Sequence, residues 1–188
     1  MTKRKITNKI QRLISLALVV VMVFAFVGCG TATEDVNVDN SGYNAGAGAS
    51  ADNPYTFIDD YGRTVTVTSY KTLIGSFADV WMSAGGSVVA TANDTWTNFD
   101  LGLSSDVVNI GSILNPNVEL LIASRPDFVI ASCNTDSNIA LMQTLENAGI
   151  TVAYFDVSNF EQYLNMLDKC TMITGRRDLY KTNGTDVK

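Results

Sequence analysis

Residues 107–132 constrain the fold of this chain more than any other stretch, because they predict a strand, a helix and a second strand in close succession. Asn115-Pro116 predicts the start of the helix, since asparagine is a good cap and proline lacks an N–H that the first turn would leave unpaired anyway. Arg125-Pro126 predicts its end, because proline pushes the preceding residue out of the α region. The continuous apolar run at residues 128–131 is typical of a strand covered on both faces. The stretch therefore predicts a strand–helix–strand unit of a parallel sheet.

Strands and helices alternate along the rest of the folded region. The sequence predicts a hairpin of residues 55–58 and 64–67, and further strands at residues 73–74, 88–92 and 150–155. It predicts helices at residues 77–84 and 136–148, and a long one from Ser158 to Gly175 that a capping box of Ser158 and Glu161 opens. This alternation favours an α/β fold, a parallel sheet flanked by helices, with a β-hairpin at its N-terminal end.

Charge and composition exclude several functions. The chain has 188 residues and a net charge of −6, but five of its 13 basic side chains lie in the first 12 positions. The rest carries eight basic and 19 acidic side chains, a net charge of −11, which makes it a poor partner for nucleic acid. The absence of histidine removes most zinc sites and serine–histidine–aspartate triads. With no nucleophile elbow and no phosphate-binding glycine motif, we expect no enzyme, no cofactor and no bound metal.

The N-terminus predicts a secretion signal over residues 1–28. A basic head is followed by an apolar segment at residues 13–27, shorter than the about 20 residues that span a bilayer as a helix. It ends in Phe26-Val-Gly-Cys29, which resembles the bacterial lipobox, although Phe26 stands where leucine is usual. In that motif the cysteine is lipidated, with palmitate among its acyl groups, and becomes the first mature residue. An ordinary signal peptide cleaved elsewhere and a plain membrane anchor remain open.

The segment that follows, through residue 53, predicts a flexible tether. It is rich in glycine, alanine, serine, threonine, asparagine and aspartate and has almost no large apolar residue, so it buries too little surface to fold by itself. We therefore assign residues 29–53 to the candidate lipidated cysteine and a tether with an end-to-end distance of about 27 Å.

Residues 117–131 resemble a signature of the iron-siderophore and cobalamin substrate-binding proteins of ABC importers, in which Asn-x-Glu opens a helix and Pro-Asp precedes an apolar strand. Phe57-x-Asp-x-x-Gly-Arg-x-Val65 is similar to the way mature domains of that family begin. The resemblance covers about residues 55–181. It implies one Rossmann-like lobe of a two-lobe, class III binding protein at residues 54–175, and the start of an inter-lobe helix at residues 176–188.

The resemblance also implies a function. We expect a protein that captures a ferric siderophore, haem or cobalamin and delivers it to an ABC permease and its ATPase, while a lipid anchor holds it outside the cell membrane. We expect the second lobe to be missing because the chain is a fragment, although a separate chain can supply it. A truncated lobe without independent transport function and a surface α/β enzyme are the alternatives.

Glu119 has two interpretations. It is placed in the first turn of its helix, where the helix dipole favours a carboxylate. The resemblance implies that it pairs with arginines of the permease. The two roles are compatible, since a charge that faces solvent at a helix start is available to a partner.

The candidate ligand-binding residues lie in loops after the strands, because ligands bind outside the carboxyl ends of a parallel sheet. These loops are residues 75–77, 93–96, 132–135 and 156–157. The residues predicted to bind ligand are Ser76, Phe77, Trp96, Ser132, Asn134, Thr135 and Asp156. Ser76 either caps a helix or binds ligand, and Trp96 either stacks on a flat ligand or packs under the hairpin.

Three further side-chain sets have simpler interpretations. Trp81 lies inside a predicted helix and is expected in the core. Cys133 and Cys170 are expected to be small buried thiols, with a disulfide as the alternative. Arg63 with Asp59 and Asp60 is expected to form a set of surface charges in the hairpin turn.

Overall fold

The computed structural model describes residues 38–70 and 73–187, with only the backbone for Leu73–Gly75. The predicted signal peptide, Cys29 and the first part of the tether lie outside the described residues. Within the described part of the chain, no helix is long and apolar enough to cross a membrane.

The strands are β1 (Tyr55–Ile58), β2 (Thr64–Val67), β3 (Leu73–Gly75), β4 (Ala90–Thr91), β5 (Val108–Asn109), β6 (Gly111–Ser112), β7 (Asn115–Pro116), β8 (Phe128–Ser132) and β9 (Thr151–Phe155). The helices are α1 (Ala78–Ser83), α2 (Asp94–Asn98), α3 (Val118–Ala123), α4 (Asp136–Ala140), α5 (Met142–Asn147), α6 (Phe160–Thr174) and α7 (Arg177–Asn183), and a 3-10 turn follows at Thr185–Val187.

Five parallel strands form the main sheet, in the order β5-β4-β3-β8-β9. The α/β fold predicted from the sequence is confirmed. Strand β8 is buried at every position, as its unbroken apolar sequence predicts for a parallel strand with both faces covered. Strands β1 and β2 pair as the predicted antiparallel hairpin outside this sheet.

The two faces of the sheet belong to two separate hydrophobic cores. Phe128 and Ile130 of β8 pack with the hairpin, α1 and α6. Val129 and Ala131 point to the other face, where they pack with α3 and α5. The split follows from the two-residue period of a strand, which sends successive side chains to opposite sides. Helices therefore cover both faces, as predicted.

Trp81 is fully buried in the first of these cores, as predicted. Its indole Nε1 donates a hydrogen bond to the Ser87 carbonyl at 2.9 Å, which satisfies its only polar group. Gly86 lies directly against the ring, since a Cβ built there would be 2.0 Å from an indole carbon. Glycine is thus required beside the tryptophan.

The hairpin turn covers the outer edge of β9, the last strand of the sheet. The Asp59 carboxylate accepts a hydrogen bond from the Tyr154 N–H at 3.1 Å, and the Asp60 N–H donates to the Tyr154 carbonyl at 2.9 Å. Arg63 Nη2 donates to the Val152 carbonyl at 2.8 Å. Strand edges that are left unpaired attract other chains, so these contacts terminate the sheet.

Asp59 and Arg63 form a buried pair and not the predicted set of surface charges. The Asp59 side chain is fully buried and accepts from Arg63 Nε at 3.1 Å and Nη2 at 2.9 Å. Its other oxygen accepts from the backbone N–H groups of Tyr61 and Arg63. The chain reverses here so that the Asp59 carboxylate faces β9. The sequence around Asp59 does not reveal this contact, because Tyr154 is far away in the chain.

Residues 38–53, which we call the strap, pack against the domain although composition predicts a tether there. Asn40 exchanges two hydrogen bonds with the backbone of Thr56, at 2.6 and 3.0 Å. The Ala49 N–H donates to the Ile173 carbonyl at 2.7 Å near the end of α6. Backbone and side-chain amide hydrogen bonds therefore order this segment. The prediction of a tether considered only its apolar surface, which is small.

Close approach of two backbones explains Gly48 of the strap and Gly175 at the end of α6. A Cβ on Gly175, which ends α6 with a φ of 74°, would lie 2.6 Å from the backbone nitrogen of Gly48. Tyr43 reinforces the contact, because its hydroxyl donates to the Met172 carbonyl and its ring lies 4.9 Å from that of Tyr55. The strap thus fastens the C-terminal end of α6.

Two predicted helix starts are displaced in the structure. Asn115–Pro116 forms strand β7, paired with β6, and α3 begins two residues later. Its cap is Asn117, whose side chain accepts from the Leu120 N–H at 3.0 Å. The capping box of α6 is likewise shifted from Ser158 and Glu161 to Asn159 and Gln162, whose side chains bond the N–H groups of Gln162 and Ser158.

Two further predictions differ in helix boundaries. The helix predicted at residues 136–148 is divided into α4 and α5 at Leu141. The Tyr154 hydroxyl donates to the Asn138 carbonyl at 2.7 Å, which gives that carbonyl a partner outside the helix. Residues 93–96, predicted as a loop, enter the short helix α2.

We expect Asp59→Asn to lower the free energy of unfolding by about 3 kcal/mol, because it removes one partner of a buried ion pair and sets an amide donor against guanidinium donors. Urea unfolding of both proteins measures the difference. Asp178→Asn is the control, since Asp178 pairs with Arg176 at 2.8 Å in an exposed position. A loss no larger for Asp59→Asn than for Asp178→Asn would contradict the assignment.

Candidate ligand-binding groove

A groove of about 350 Å³ opens at the carboxyl end of the parallel sheet. Residues that follow β3, β8 and β9 meet there with α1, α2 and α6. Its lining is Ser76, Phe77, Ala78, Asp79, Val80, Asp94, Thr95, Phe99, Ile113, Ser132, Thr135, Val157 and Tyr163. Such a position, where strand-end loops converge, is where α/β sheets bind ligands.

Four of the seven residues predicted to bind ligand line this groove. They are Ser76, Phe77, Ser132 and Thr135. Asn134 and Asp156 are bonded to each other at 2.5 Å and are not part of the lining. Trp96 lies in α2 and not in a loop, and it is 41% exposed, outside the groove lining and not packed under the hairpin.

Phe77 adopts a left-handed backbone conformation, with φ at 61° and ψ at 38°, between β3 and α1. A bulky aromatic residue is costly there, by about 1–2 kcal/mol. Strain of this kind persists where the surrounding structure imposes it and is concentrated at functional positions. The conformation places Phe77 in the groove lining while its ring also contacts the hydrophobic core.

The Ser76 hydroxyl is buried and has no hydrogen-bond partner among the described residues. It does not cap α1, because the capping position is Phe77 and no side chain bonds the first turn. Of its two predicted roles, helix capping is therefore wrong. Buried hydroxyls are normally satisfied, so a free hydroxyl in the lining of a groove is a candidate ligand contact.

Asp156 organises the loops beside the groove. Its carboxylate accepts hydrogen bonds from Ser158 at 2.7 Å, Asn134 at 2.5 Å and Gln162 at 2.9 Å. The first two bonds contribute most to lowering the pKa of Asp156 below its ordinary value, so it stays ionised. Asp156 therefore joins the loop after β8 to the start of α6 and acts by positioning.

Sequence reasoning missed several lining residues. Asp79 and Asp94 lie in the first turns of α1 and α2, at the carboxyl edge of the sheet. Their positions shortly after predicted strands could have placed them in the groove. Tyr163 lies one turn into α6, and no local signal brings it to this edge. Its hydroxyl donates to the Asn183 carbonyl at 2.8 Å, and burial, followed by the nearby Asp79 charge, raises its pKa.

The remaining candidate residues lie outside the groove. Glu119 is exposed in the first turn of α3. Cys133 is half-buried and Cys170 fully buried, and both are free thiols, so the disulfide alternative is not formed. Burial raises the pKa of both thiols. Among the described residues no three histidine, cysteine or acidic side chains are grouped so as to hold a metal ion.

Comparison with solved structures shows similar folds at low sequence identity. The siderophore-binding protein BauB, bound to ferric iron with two acinetobactin molecules, matches over 71% of this chain and 50% of its own, with 15% identity and a TM-score of 0.58. FhuD from Vibrio cholerae, bound to Fe³⁺–Desferal, matches over 61% and 46%, with 17% identity and a TM-score of 0.51. The haem-binding protein HmuT matches over 69% and 41%, with 14% identity and a TM-score of 0.56.

This chain spans about half the length of those neighbours or less. No curated protein matches it in sequence. The family model for periplasmic binding proteins, however, matches residues 72–188, more than half of the chain, and confirms the resemblance found in the sequence. The chain therefore belongs to the periplasmic binding protein family.

Proposed function

We propose that this chain is the substrate-binding lobe of an ABC importer, which captures a ferric siderophore, haem or cobalamin and delivers it to a membrane permease and its ATPase. The observation that most strongly supports this function is the groove at the carboxyl end of the sheet in a member of the periplasmic binding protein family. The siderophore and haem ligands of the structural neighbours support the first two ligand classes. The lobe comprises residues 54–175 together with the strap that packs against them, and residues 176–188 are proposed to begin the connection to a second lobe.

The groove acts by capture and not by catalysis. Phe77, Phe99 and Tyr163 offer aromatic surface on which a large, partly apolar ligand packs. Ser76, Ser132 and Thr135 belong to the lining, and their hydroxyls are the proposed hydrogen-bond donors to ligand oxygens. Aromatic walls with a few placed polar groups are the composition of a binding site.

We expect Phe77→Ala to weaken binding of the ligand by about tenfold, because the variant keeps the strained backbone position but loses the ring. Calorimetric titration of the full chain with ferric siderophores, haem and cobalamin measures it. Trp96→Ala is the matched control, since it removes a larger exposed aromatic outside the groove and leaves affinity unchanged. Absence of binding by every ligand would refute the proposed function.

The exposed carboxylate of Glu119 is proposed to dock the lobe on arginines of the permease. Glu119→Gln is then expected to reduce uptake of labelled iron in cells severalfold and leave ligand affinity unchanged, because docking and capture use different surfaces. Glu161→Gln is the control, since Glu161 is also an exposed first-turn carboxylate, in α6. Equal uptake by Glu119→Gln and the unaltered protein would exclude the docking role.

Lipidation of Cys29 is proposed to hold the lobe on the outer face of the cell membrane. The unaltered protein is expected to incorporate labelled palmitate and to partition into the detergent phase, whereas Cys29→Ser does neither, because the thiol is the site of acylation. Cys133→Ser serves as the control and keeps both properties. Detergent partition by Cys29→Ser would show that another segment anchors the chain.

A further inference from the structure

We infer that the groove selects neutral or positively charged ferric chelates, the hydroxamate class, over the anionic catecholate and carboxylate classes. The inference rests on the proposed function and goes beyond it by naming the charge of the ligand. It depends on which ionisable side chains line the groove and on where the basic side chains of the chain lie.

The ionisable lining is acidic. Asp79 and Asp94 contribute carboxylates from α1 and α2, and neither lysine nor arginine is among the described residues that line the groove. Asp156 adds a third negative charge next to Val157, which belongs to the lining. An anionic chelate placed here meets like charges with no compensating cation from these residues.

Six basic side chains lie in the described region. Arg125 and Lys181 are not among the residues that line the groove, and the other four form ion pairs elsewhere. Arg63 binds Asp59 and Glu146 at the outer edge of β9, and Lys169 lies 3.3 Å from Asp60. Two further pairs lie at α7 and the end of α6, formed by Arg176 with Asp178 and Arg177 with Asp168. None of these four cations lines the groove.

The aromatic lining favours the same ligand charge. Phe77, Phe99 and Tyr163 have ring faces that carry partial negative charge and attract cations. Phe99 is 43% exposed, so its ring is accessible to a ligand. Carboxylates combined with aromatic faces recognise a cation, whereas an anion is normally held by arginine or lysine.

The net charge of the chain reinforces this preference. Outside the first 12 positions the chain has a net charge of −11, so the field around the groove is negative. For a ligand that differs by one unit of charge, two nearby carboxylates change affinity by about tenfold at low ionic strength. Salt reduces the effect because the groove is open to solvent.

The test compares three ligands that share one iron centre. Ferric desferrioxamine B carries a pendant ammonium group, its N-acetyl derivative is neutral, and its N-succinyl derivative carries a carboxylate. Calorimetric titration of the full chain at low salt is expected to rank them cation, neutral form, anion, with about tenfold between successive members. In the double variant Asp79→Asn, Asp94→Asn the three affinities converge, while Asp178→Asn keeps the ranking.

The outcomes separate the inference from the proposed function. Equal affinity for all three ligands, or tighter binding of the anion, overturns the charge selection and leaves iron-chelate capture standing. Unchanged ranking in the double variant, with a native circular dichroism spectrum, also overturns it. If none of these ligands binds but an anionic ferric tricatecholate does, the charge selection is likewise wrong. If no chelate of any charge binds but haem or cobalamin does, the charge selection is wrong and the proposed function stands. If haem and cobalamin also fail to bind, the proposed function fails together with the inference.

Discussion

The carboxylate of Asp59 joins two segments far apart in the chain, the hairpin turn and strand β9. It is fully buried and accepts hydrogen bonds from the Arg63 guanidinium and from the Tyr154 N–H. Asp60, the next residue, accepts from the Asp156 N–H at 2.9 Å, and Asp156 in turn binds Asn134 across the strand ends. One polar network therefore runs from the protected edge of the sheet to the loops beside the groove, so the hairpin both ends the sheet and helps to position those loops.

The groove derives its properties from the topology of the sheet. In a parallel sheet the strands end together, and the loops that follow them are free of the hydrogen-bonding demands of the ladder. This chain uses that freedom for a strained Phe77, an unpaired Ser76 hydroxyl and two acidic helix starts. The strained Phe77 and the unpaired Ser76 hydroxyl cost stability, and both lie at this edge of the sheet, whereas the first-turn carboxylates are favoured by the helix dipole.

Sequence reasoning succeeded where the signal is local and failed where a distant residue decides. The buried run of β8 and the hairpin follow from apolar pattern and turn residues, and both are confirmed. The burial of Asp59 and the order of the strap depend on partners on β9 and α6, which no window around these residues contains. The position of Ser76 and Phe77 in a loop after a strand predicted them at this edge of the sheet, whereas Tyr163 reaches the groove only through the packing of α6.

A crystal structure of the chain with a bound ferric chelate would show directly whether this edge of the sheet holds the cargo. We expect density for the chelate against Phe77, Phe99 and Tyr163, with the Ser76 hydroxyl within hydrogen-bonding distance of a ligand oxygen. A chelate bound at another surface, such as the cavity of about 140 Å³ between β2 and β9, with the groove free, would contradict this expectation.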